Sequence, residues 1–125
     1  MYWLAVGLGG ALGSLARHWV NLEIAHRWER SVPYATATVN IVGAAVAGLL
    51  AGALASGWLH MSPLVRTFIF VGILGGFTTF SSLMLDTFTL AHGRDQWAAA
   101  LNLAGQSVVG LAVIVAAYRL AVGLH

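Results

Sequence analysis

The chain has no cysteine and no lysine, and only 8% of its 125 residues are charged. Without cysteine it has no disulfide framework, no thiolate metal site and no cysteine nucleophile. A soluble domain carries about 25% charged residues, so this chain has too few to cover a surface that faces water. Hydrophobic residues make up 59% of the sequence, and the mean hydropathy is +0.83. The lipid bilayer is therefore the expected solvent.

The basic residues do not indicate a nucleic-acid partner. The sequence pI is near 9.7, but it results from arginines that are scattered singly along the chain. Proteins that bind nucleic acid cluster their basic residues on one face or stripe. The histidines lie mostly at predicted helix ends, with no pair at ligand spacing, so we expect no metal site built from them. Nothing in the sequence indicates an enzyme.

Four segments are long and apolar enough to cross the hydrocarbon core, which takes about 20 helical residues. They run over about 2–20, 34–59, 64–90 and 96–122. The first is interpreted as a retained membrane helix rather than a signal peptide, because the first basic residue is Arg17 and no basic n-region precedes it. The sequence therefore predicts one all-α domain of four transmembrane helices.

The arginines give almost no signal for orientation in the membrane. The loops after the first and third helices share one side and carry Arg27, Arg30 and Arg94, whereas the other side carries Arg66 and Arg119. Three against two is almost no positive-inside bias. Charge alone leaves two interpretations open. One is ordinary variation in a short chain, and the other is dual topology, in which copies insert in both orientations and pair antiparallel.

Small residues predict close contacts between helices. Gly9 and Gly13 in the first helix, and Gly48 and Gly52 in the second, are spaced by four, which lets helix backbones approach one another. A chain of this length makes too few helices to enclose a wide pore. An oligomer is therefore expected.

The third segment is interrupted by a polar, glycine-rich stretch, Gly75-Gly76-Phe77-Thr78-Thr79-Phe80-Ser81-Ser82. The glycine pair weakens helix propensity, and hydroxyl side chains can bond backbone carbonyls and bend or open a helix. A broken membrane helix frees backbone groups that a partner, water or an ion must satisfy. A kinked but closed helix is the alternative. Other polar residues fall inside the predicted spans: Arg17, Thr36, Thr38, Asn40, Asp86, Asn102, Gln106 and Ser107.

These polar residues suit a small, hard anion better than a cation. Hydroxyls and the amide of Asn40 can donate hydrogen bonds, and phenylalanine ring edges carry partial positive charge. A cation path would more naturally carry rings of carboxylates, but Asp86 is the one acid deep in a span. The sequence leaves three roles open for Asp86: carrying protons, pairing with an arginine, or donating a hydrogen bond while protonated.

Four motifs in chain order make the whole sequence similar to one family. They are Gly9-Gly10-Ala11-Leu12-Gly13 followed by Arg17-His18; Thr36 followed by Val39-Asn40-Ile41-Val42-Gly43; Gly72-Ile73-Leu74-Gly75-Gly76-Phe77-Thr78-Thr79-Phe80-Ser81; and Ser107 with Gly110. On these residues the chain resembles the Fluc-type fluoride channels, also called the CrcB family.

The resemblance implies an antiparallel, dual-topology homodimer with two anion pores in the inner (plasma) membrane, surrounded by lipid. It also implies a structural sodium ion at the dimer centre, held by the backbone carbonyls of Gly75 and Thr78. The anion pathway would include Asn40, Thr79, Phe80, Ser81, Ser82, Leu83 and Ser107, with Arg17 near a vestibule and Asp86 as a pore-associated acid.

Three positions depart from the family pattern. Leu83 stands where a second pore phenylalanine is usual, and leucine has no positive ring edge. Asp86 replaces a glutamate, and Leu103 replaces a tyrosine that often precedes the helix 4 serine. These changes are expected to alter conductance or to mark a divergent or partner-dependent member.

The expected function is passive, fluoride-selective export that lowers fluoride toxicity in the cytoplasm. A proton-coupled transporter of the small multidrug type is the first alternative, because it shares four helices, short length and antiparallel dimers. That mechanism needs a membrane-embedded glutamate in the first helix, whereas Glu23 falls at or beyond its predicted end. An accessory membrane subunit with no transport of its own is the second alternative, which Leu83 keeps open.

Overall fold

The computed structural model describes residues 1–28 and 33–124, and these residues form an all-α protein. Its helices are α1 (Tyr2–Arg27), α2 (Tyr34–Ala55), α3 (63–77), α4 (Phe80–His92) and α5 (Gln96–Gly123). Arg30, which entered the topology argument, and His125 lie outside the described residues. Because α3 and α4 are the two halves of one interrupted segment, the predicted four-helix architecture with a broken third helix is confirmed.

The first helix is longer than its apolar run. It continues through residues 21–27, past the predicted end near residue 20, and no glycine or proline stands there to stop it. Glu23 and Arg27 form an i,i+4 pair with 3.7 Å between Oε2 and Nη2. His26 and Arg27 lie in the last turn, where cations interact favourably with the helix dipole. The helix therefore continues beyond the predicted apolar span, through a polar end that needs no apolar residues.

Three segments of the described chain are long and apolar enough to span a membrane: Tyr34–Ala55, Pro63–His92 and Gln96–Gly123. Helix α1 has the length, with 26 residues, but Arg17 and His18 interrupt its apolar sequence. Many large apolar side chains are exposed on the isolated protomer, as lipid or a second copy would require. The chain is a multi-pass membrane protein.

Glycines bring the helices into backbone contact, as their spacing predicts. A Cβ on Gly9 would come within 2.5 Å of the Phe68 carbonyl oxygen, and one on Gly13 would collide with the Ile73 carbonyl oxygen. We call this contact between α1 and α3 the glycine seam. Gly52 makes the same kind of approach across α2 and α5, where a Cβ would lie 2.5 Å from the Tyr118 carbonyl oxygen. Side chains larger than hydrogen are excluded from both contacts.

The third segment is broken, not merely kinked. Thr67–Leu74 is π-helical, and a short α-helical turn, Gly75–Phe77, follows it. Thr78 and Thr79 then take extended backbone angles, with ψ of 159° and 117°. Helix α4 starts anew at Phe80, with Thr79 as its N-cap residue. Extended angles at two successive residues leave the carbonyls before them without helical donors. The helix is therefore open at this point, and the alternative of a kinked but closed helix does not apply.

Candidate functional site at the helix break

Asn40 on α2 pairs with both backbone groups of Thr79 at the break. The Thr79 N–H donates to Asn40 Oδ1 at 2.8 Å, and Asn40 Nδ2 donates to the Thr79 carbonyl at 3.1 Å. The side-chain amide therefore takes the place of a missing stretch of helix. Such pairing is required because no water in the hydrocarbon core can satisfy free backbone groups.

A chain of side-chain hydrogen bonds continues from Asn40 into α5 and α4. Asn40 Nδ2 also donates to Gln106 Oε1 at 2.9 Å, and Gln106 Nε2 donates to Asn102 Oδ1 at 2.8 Å. Asn102 Nδ2 donates to Thr87 Oγ1 at 2.9 Å, and Thr87 Oγ1 donates to the Leu83 carbonyl at 2.7 Å. We call these four side chains the amide network. All of its donors point the same way, which strengthens each bond in turn.

Hydroxyl groups cluster at the start of α4. Thr79 Oγ1 lies 3.1 Å from Ser82 Oγ and 3.3 Å from Ser81 Oγ, and it accepts the Ser82 N–H at 3.2 Å. The N-terminus of a helix carries partial positive charge, and its first N–H groups lack helical acceptors. The cluster therefore combines movable hydroxyl donors with a positive helix end.

An open cleft of about 250 Å³ brings together five residues predicted for the anion pathway. Its lining consists of Asn40, Thr78, Thr79, Phe80, Leu83, Gln106 and Ser107. Ser81 and Ser82 are not part of that lining and contact it through Thr79. Phe80 is 73% exposed at the rim, whereas Leu83 is only 6% exposed. The Ser107 hydroxyl donates to its own helix, at 2.8 Å from the Leu103 carbonyl.

The carbonyls of Gly75 and Thr78 have lost the donors that an unbroken helix would give them. The Thr79 N–H is bonded to Asn40 instead of Gly75, and the Ser82 N–H is bonded to Thr79 Oγ1 instead of Thr78. Arg17 Nη1 lies 3.4 Å from the Thr78 carbonyl oxygen, so Arg17 is at the break but outside the cleft. Across residues 1–28 and 33–124 no group of three acidic, histidine or cysteine side chains could hold a metal ion. A cation here would need backbone oxygens.

Asp86 interacts with Thr36, away from the cleft. The Thr36 hydroxyl donates to Asp86 Oδ2 at 2.5 Å, and Asp86 is half-buried. In the part of the chain that the structure describes, the ion pair present is Arg27–Glu23, so Asp86 does not pair with an arginine there. Thr36 and Asp86 link α2 to α4 alongside the amide network.

Three residues of the amide network, Gln106, Asn102 and Thr87, were not among the predicted site residues. Gln106 and Asn102 were recognised as polar groups in the fourth span, but neither was assigned a role. Their i,i+4 spacing places them on one helix face, and that spacing, together with an asparagine inside another predicted span, was the available signal. Thr87 gave a weaker signal, because a hydroxyl in a helix commonly bonds to its own preceding turn.

Comparison with known proteins agrees with the resemblance seen in the motifs. Residues 4–118 match the family described as "CrcB-like protein, Camphor Resistance (CrcB)". A relative from Paracoccus denitrificans named "Fluoride-specific ion channel FluC" is 46% identical over 123 residues, 97% of this chain and 94% of the relative. A relative of the same name from Rhodospirillum centenum is 43% identical over 95% of this chain and 96% of the relative. "Fluoride-specific ion channel FluC 3" from Yersinia pestis is 43% identical, over 86% of each. The chain belongs to the CrcB family.

Proposed function

We propose that this chain is a fluoride-selective channel that exports the anion passively and so lowers its concentration in the cytoplasm. The observation that carries the proposal is the cleft at the helix break, where hydroxyls, amides and the Phe80 ring lie together inside an apolar segment. The relatives are named fluoride-specific ion channels. Fluoride enters cells from acidic surroundings as neutral HF and is trapped as the ion. The membrane potential then drives it out through a selective pore, and no chemical step is needed.

The expected assembly is an antiparallel homodimer in the inner (plasma) membrane. Phe80 is 73% exposed and Gly75 is exposed on the isolated protomer, although both lie in the middle of an apolar segment. A second copy would cover them and close the open side of the cleft. The nearly balanced arginines suit insertion in both orientations. A tag at the C-terminus tests this assembly, because detection on one side of the membrane alone would contradict dual topology.

A structural sodium ion at the dimer centre fits the chemistry of the break. The Gly75 and Thr78 carbonyls have lost their helical donors, and a carbonyl oxygen has a second lone pair even where Arg17 uses one. Two protomers would contribute two carbonyls each. A cation there supplies positive charge that helps an anion to tolerate the membrane interior. Full fluoride flux in vesicles stripped of sodium would contradict this role.

The proposed anion pathway uses the hydroxyls of Thr79, Ser81, Ser82 and Ser107 and the ring edge of Phe80. Leu83 forms part of its apolar wall. Arg17 would attract anions from a vestibule, and Asp86, bonded to Thr36, would be a pore-associated acid outside the cleft. Asn40 holds the break in the shape that keeps these groups together.

The decisive experiment uses purified protein in liposomes with a fluoride electrode. A potassium gradient with valinomycin sets the voltage, and efflux of fluoride is compared with efflux of chloride. We expect fluoride efflux that exceeds chloride efflux by orders of magnitude. Absence of fluoride efflux would overturn the proposal and leave an accessory role. A small multidrug transporter is not favoured, because Glu23, the acid of α1, lies at its end beside Arg27.

A further inference from the structure

The orientation of the whole amide network is fixed by one backbone group. The Thr79 N–H can only donate, so the atom of Asn40 that faces it at 2.8 Å must be the oxygen Oδ1. Asn40 Nδ2 is thereby directed at the Thr79 carbonyl and at Gln106. Gln106 must then present Oε1 to Asn40 and Nε2 to Asn102. The direction of every donor in the network follows from Thr79.

Counting hydrogens shows which amide has a donor to spare. Asn40 Nδ2 carries two hydrogens, and both are bonded, one to the Thr79 carbonyl and one to Gln106 Oε1. Gln106 Nε2 also carries two hydrogens, and one is bonded to Asn102 Oδ1. Among residues 1–28 and 33–124, no other acceptor is bonded to Gln106 Nε2. The spare amide hydrogen therefore belongs to Gln106 and not to Asn40.

Gln106 is also a lining residue of the cleft. It shares that lining with Phe80 and Leu83, and it is 9% exposed. A donor shielded from water interacts more strongly with an anion than an exposed one. Leu83 offers this cleft only aliphatic hydrogens, whereas an aromatic edge there would be partly positive. Gln106 thus offers a partly positive amide hydrogen, without a net charge, in a cleft where Leu83 supplies no aromatic edge.

We propose that Gln106 supplies the amide N–H that binds fluoride in this cleft, and that Asn40 is a positioning residue that orients Gln106 and holds the break. This inference rests on the proposed fluoride channel function. It assigns the amide donor to a residue on α5 and explains how a wall containing Leu83 can still stabilise an anion.

The test compares two glutamine variants in the liposome assay. Gln106→Met removes the donor and keeps the length of the side chain, and we expect fluoride efflux to fall about tenfold or more, since a hydrogen bond to a charged group is lost. Gln96→Met is the matched control, because Gln96 is exposed at the start of α5 and donates only to the Ala91 carbonyl. Its efflux should equal that of the wild type. Equal efflux from Gln106→Met and wild type would overturn the inference.

A second substitution separates a donor from a scaffold. Leu83→Phe adds a partly positive ring edge to the same cleft. We expect the double variant Gln106→Met/Leu83→Phe to show at least threefold faster fluoride efflux than Gln106→Met alone. A double variant that elutes as a single species and is as slow as Gln106→Met would assign Gln106 to holding Asn40 and overturn the inference. If Gln106→Met does not elute as a single species, Gln106→Glu decides. It keeps an oxygen for Asn40, has no N–H and adds a negative charge beside the anion path, so efflux equal to that of the wild type would overturn the inference.

The two proposals fail in distinguishable ways. A wild-type protein that carries no fluoride removes the channel function itself. A wild-type protein that carries fluoride, together with an active Gln106→Met, removes only the assignment of the donor to Gln106.

Discussion

The glycine seam and the helix break solve the same problem by opposite means. At the seam, α1 and α3 meet through bare backbone, and the space for a Cβ on Gly13 is taken by the Ile73 carbonyl. At the break, the backbone is held apart and its free groups are paired by the side chain of Asn40. The seam depends on volume, so it fails when an atom is added. The break depends on the direction of donors and acceptors, so it fails when one atom changes its chemistry.

The largest effect is expected at the glycine seam. Gly13→Val adds three carbons where the Ile73 carbonyl and the Phe77 amide leave no room for one, and overpacking against backbone cannot be relieved by a rotamer change. We expect no folded protein, measured as loss of the monodisperse peak after extraction in detergent. Gly7→Ala is the control, because nothing lies within 4 Å of a Cβ there. A folded, active Gly13→Val would contradict the close approach.

The second largest effect is expected from substitution of Asn40, and it should reduce fluoride transport more than it reduces folding. Asn40→Asp keeps the oxygen that accepts the Thr79 N–H but removes both hydrogens that bond Thr79 and Gln106. It also adds a negative charge beside the anion path. Fluoride efflux in liposomes should fall at least tenfold, because 1.4 kcal/mol corresponds to a factor of about ten. Unchanged efflux would remove Asn40 from the mechanism.

A smaller effect is expected from the cap of α4. Thr79→Val removes the hydroxyl that accepts the Ser82 N–H and contacts Ser81 and Ser82. Loss of an N-cap costs about 1 kcal/mol, so thermal stability in detergent should drop by a few degrees and efflux should fall. Thr79→Ser keeps the hydroxyl and serves as the matched variant. A loss in Thr79→Ser with none in Thr79→Val would show that the methyl group, and not the hydroxyl, matters.

The smallest effect is expected at the polar end of α1, which belongs to neither region. Glu23→Gln breaks the 3.7 Å pair with Arg27, whose side chain is 74% exposed. Exposed i,i+4 pairs contribute below about 0.5 kcal/mol. Fluoride efflux and the melting temperature should both equal those of the wild type within error. A clear loss of efflux would indicate that Glu23 takes part in transport, as a multidrug-type mechanism requires.

The sequence predicted the break better than it predicted the partners of the break. Four hydroxyl residues after a glycine pair, inside an apolar segment, can be recognised without a structure, and so can a lone Asn40. Gln106 could not be assigned, because whether an amide oxygen or nitrogen faces a neighbour depends on a hydrogen-bond network across three helices. The end of α1 was missed for another reason, because hydropathy does not register a helical turn stabilised by Glu23 and Arg27.

The sodium site, the dimer and the roles of the pathway residues stay predictions. Each depends on atoms that one protomer does not supply: a cation, or the surface of a second copy. The ring of Phe80, exposed on this protomer, would be covered by a second copy in the proposed assembly.

The π-helical run Thr67–Leu74 sets the rotational phase of everything that follows it. Gly9 and Gly13 step by four along α1, but the carbonyls that they approach, those of Phe68 and Ile73, step by five along α3. The extra residue agrees with i→i+5 bonding, which places more residues in each turn than an α-helix has. Removing one residue from the run would restore the α-helical period and turn the following residues by about 100°. Thr79 would then no longer face Asn40, so the length of this run determines which way the break points.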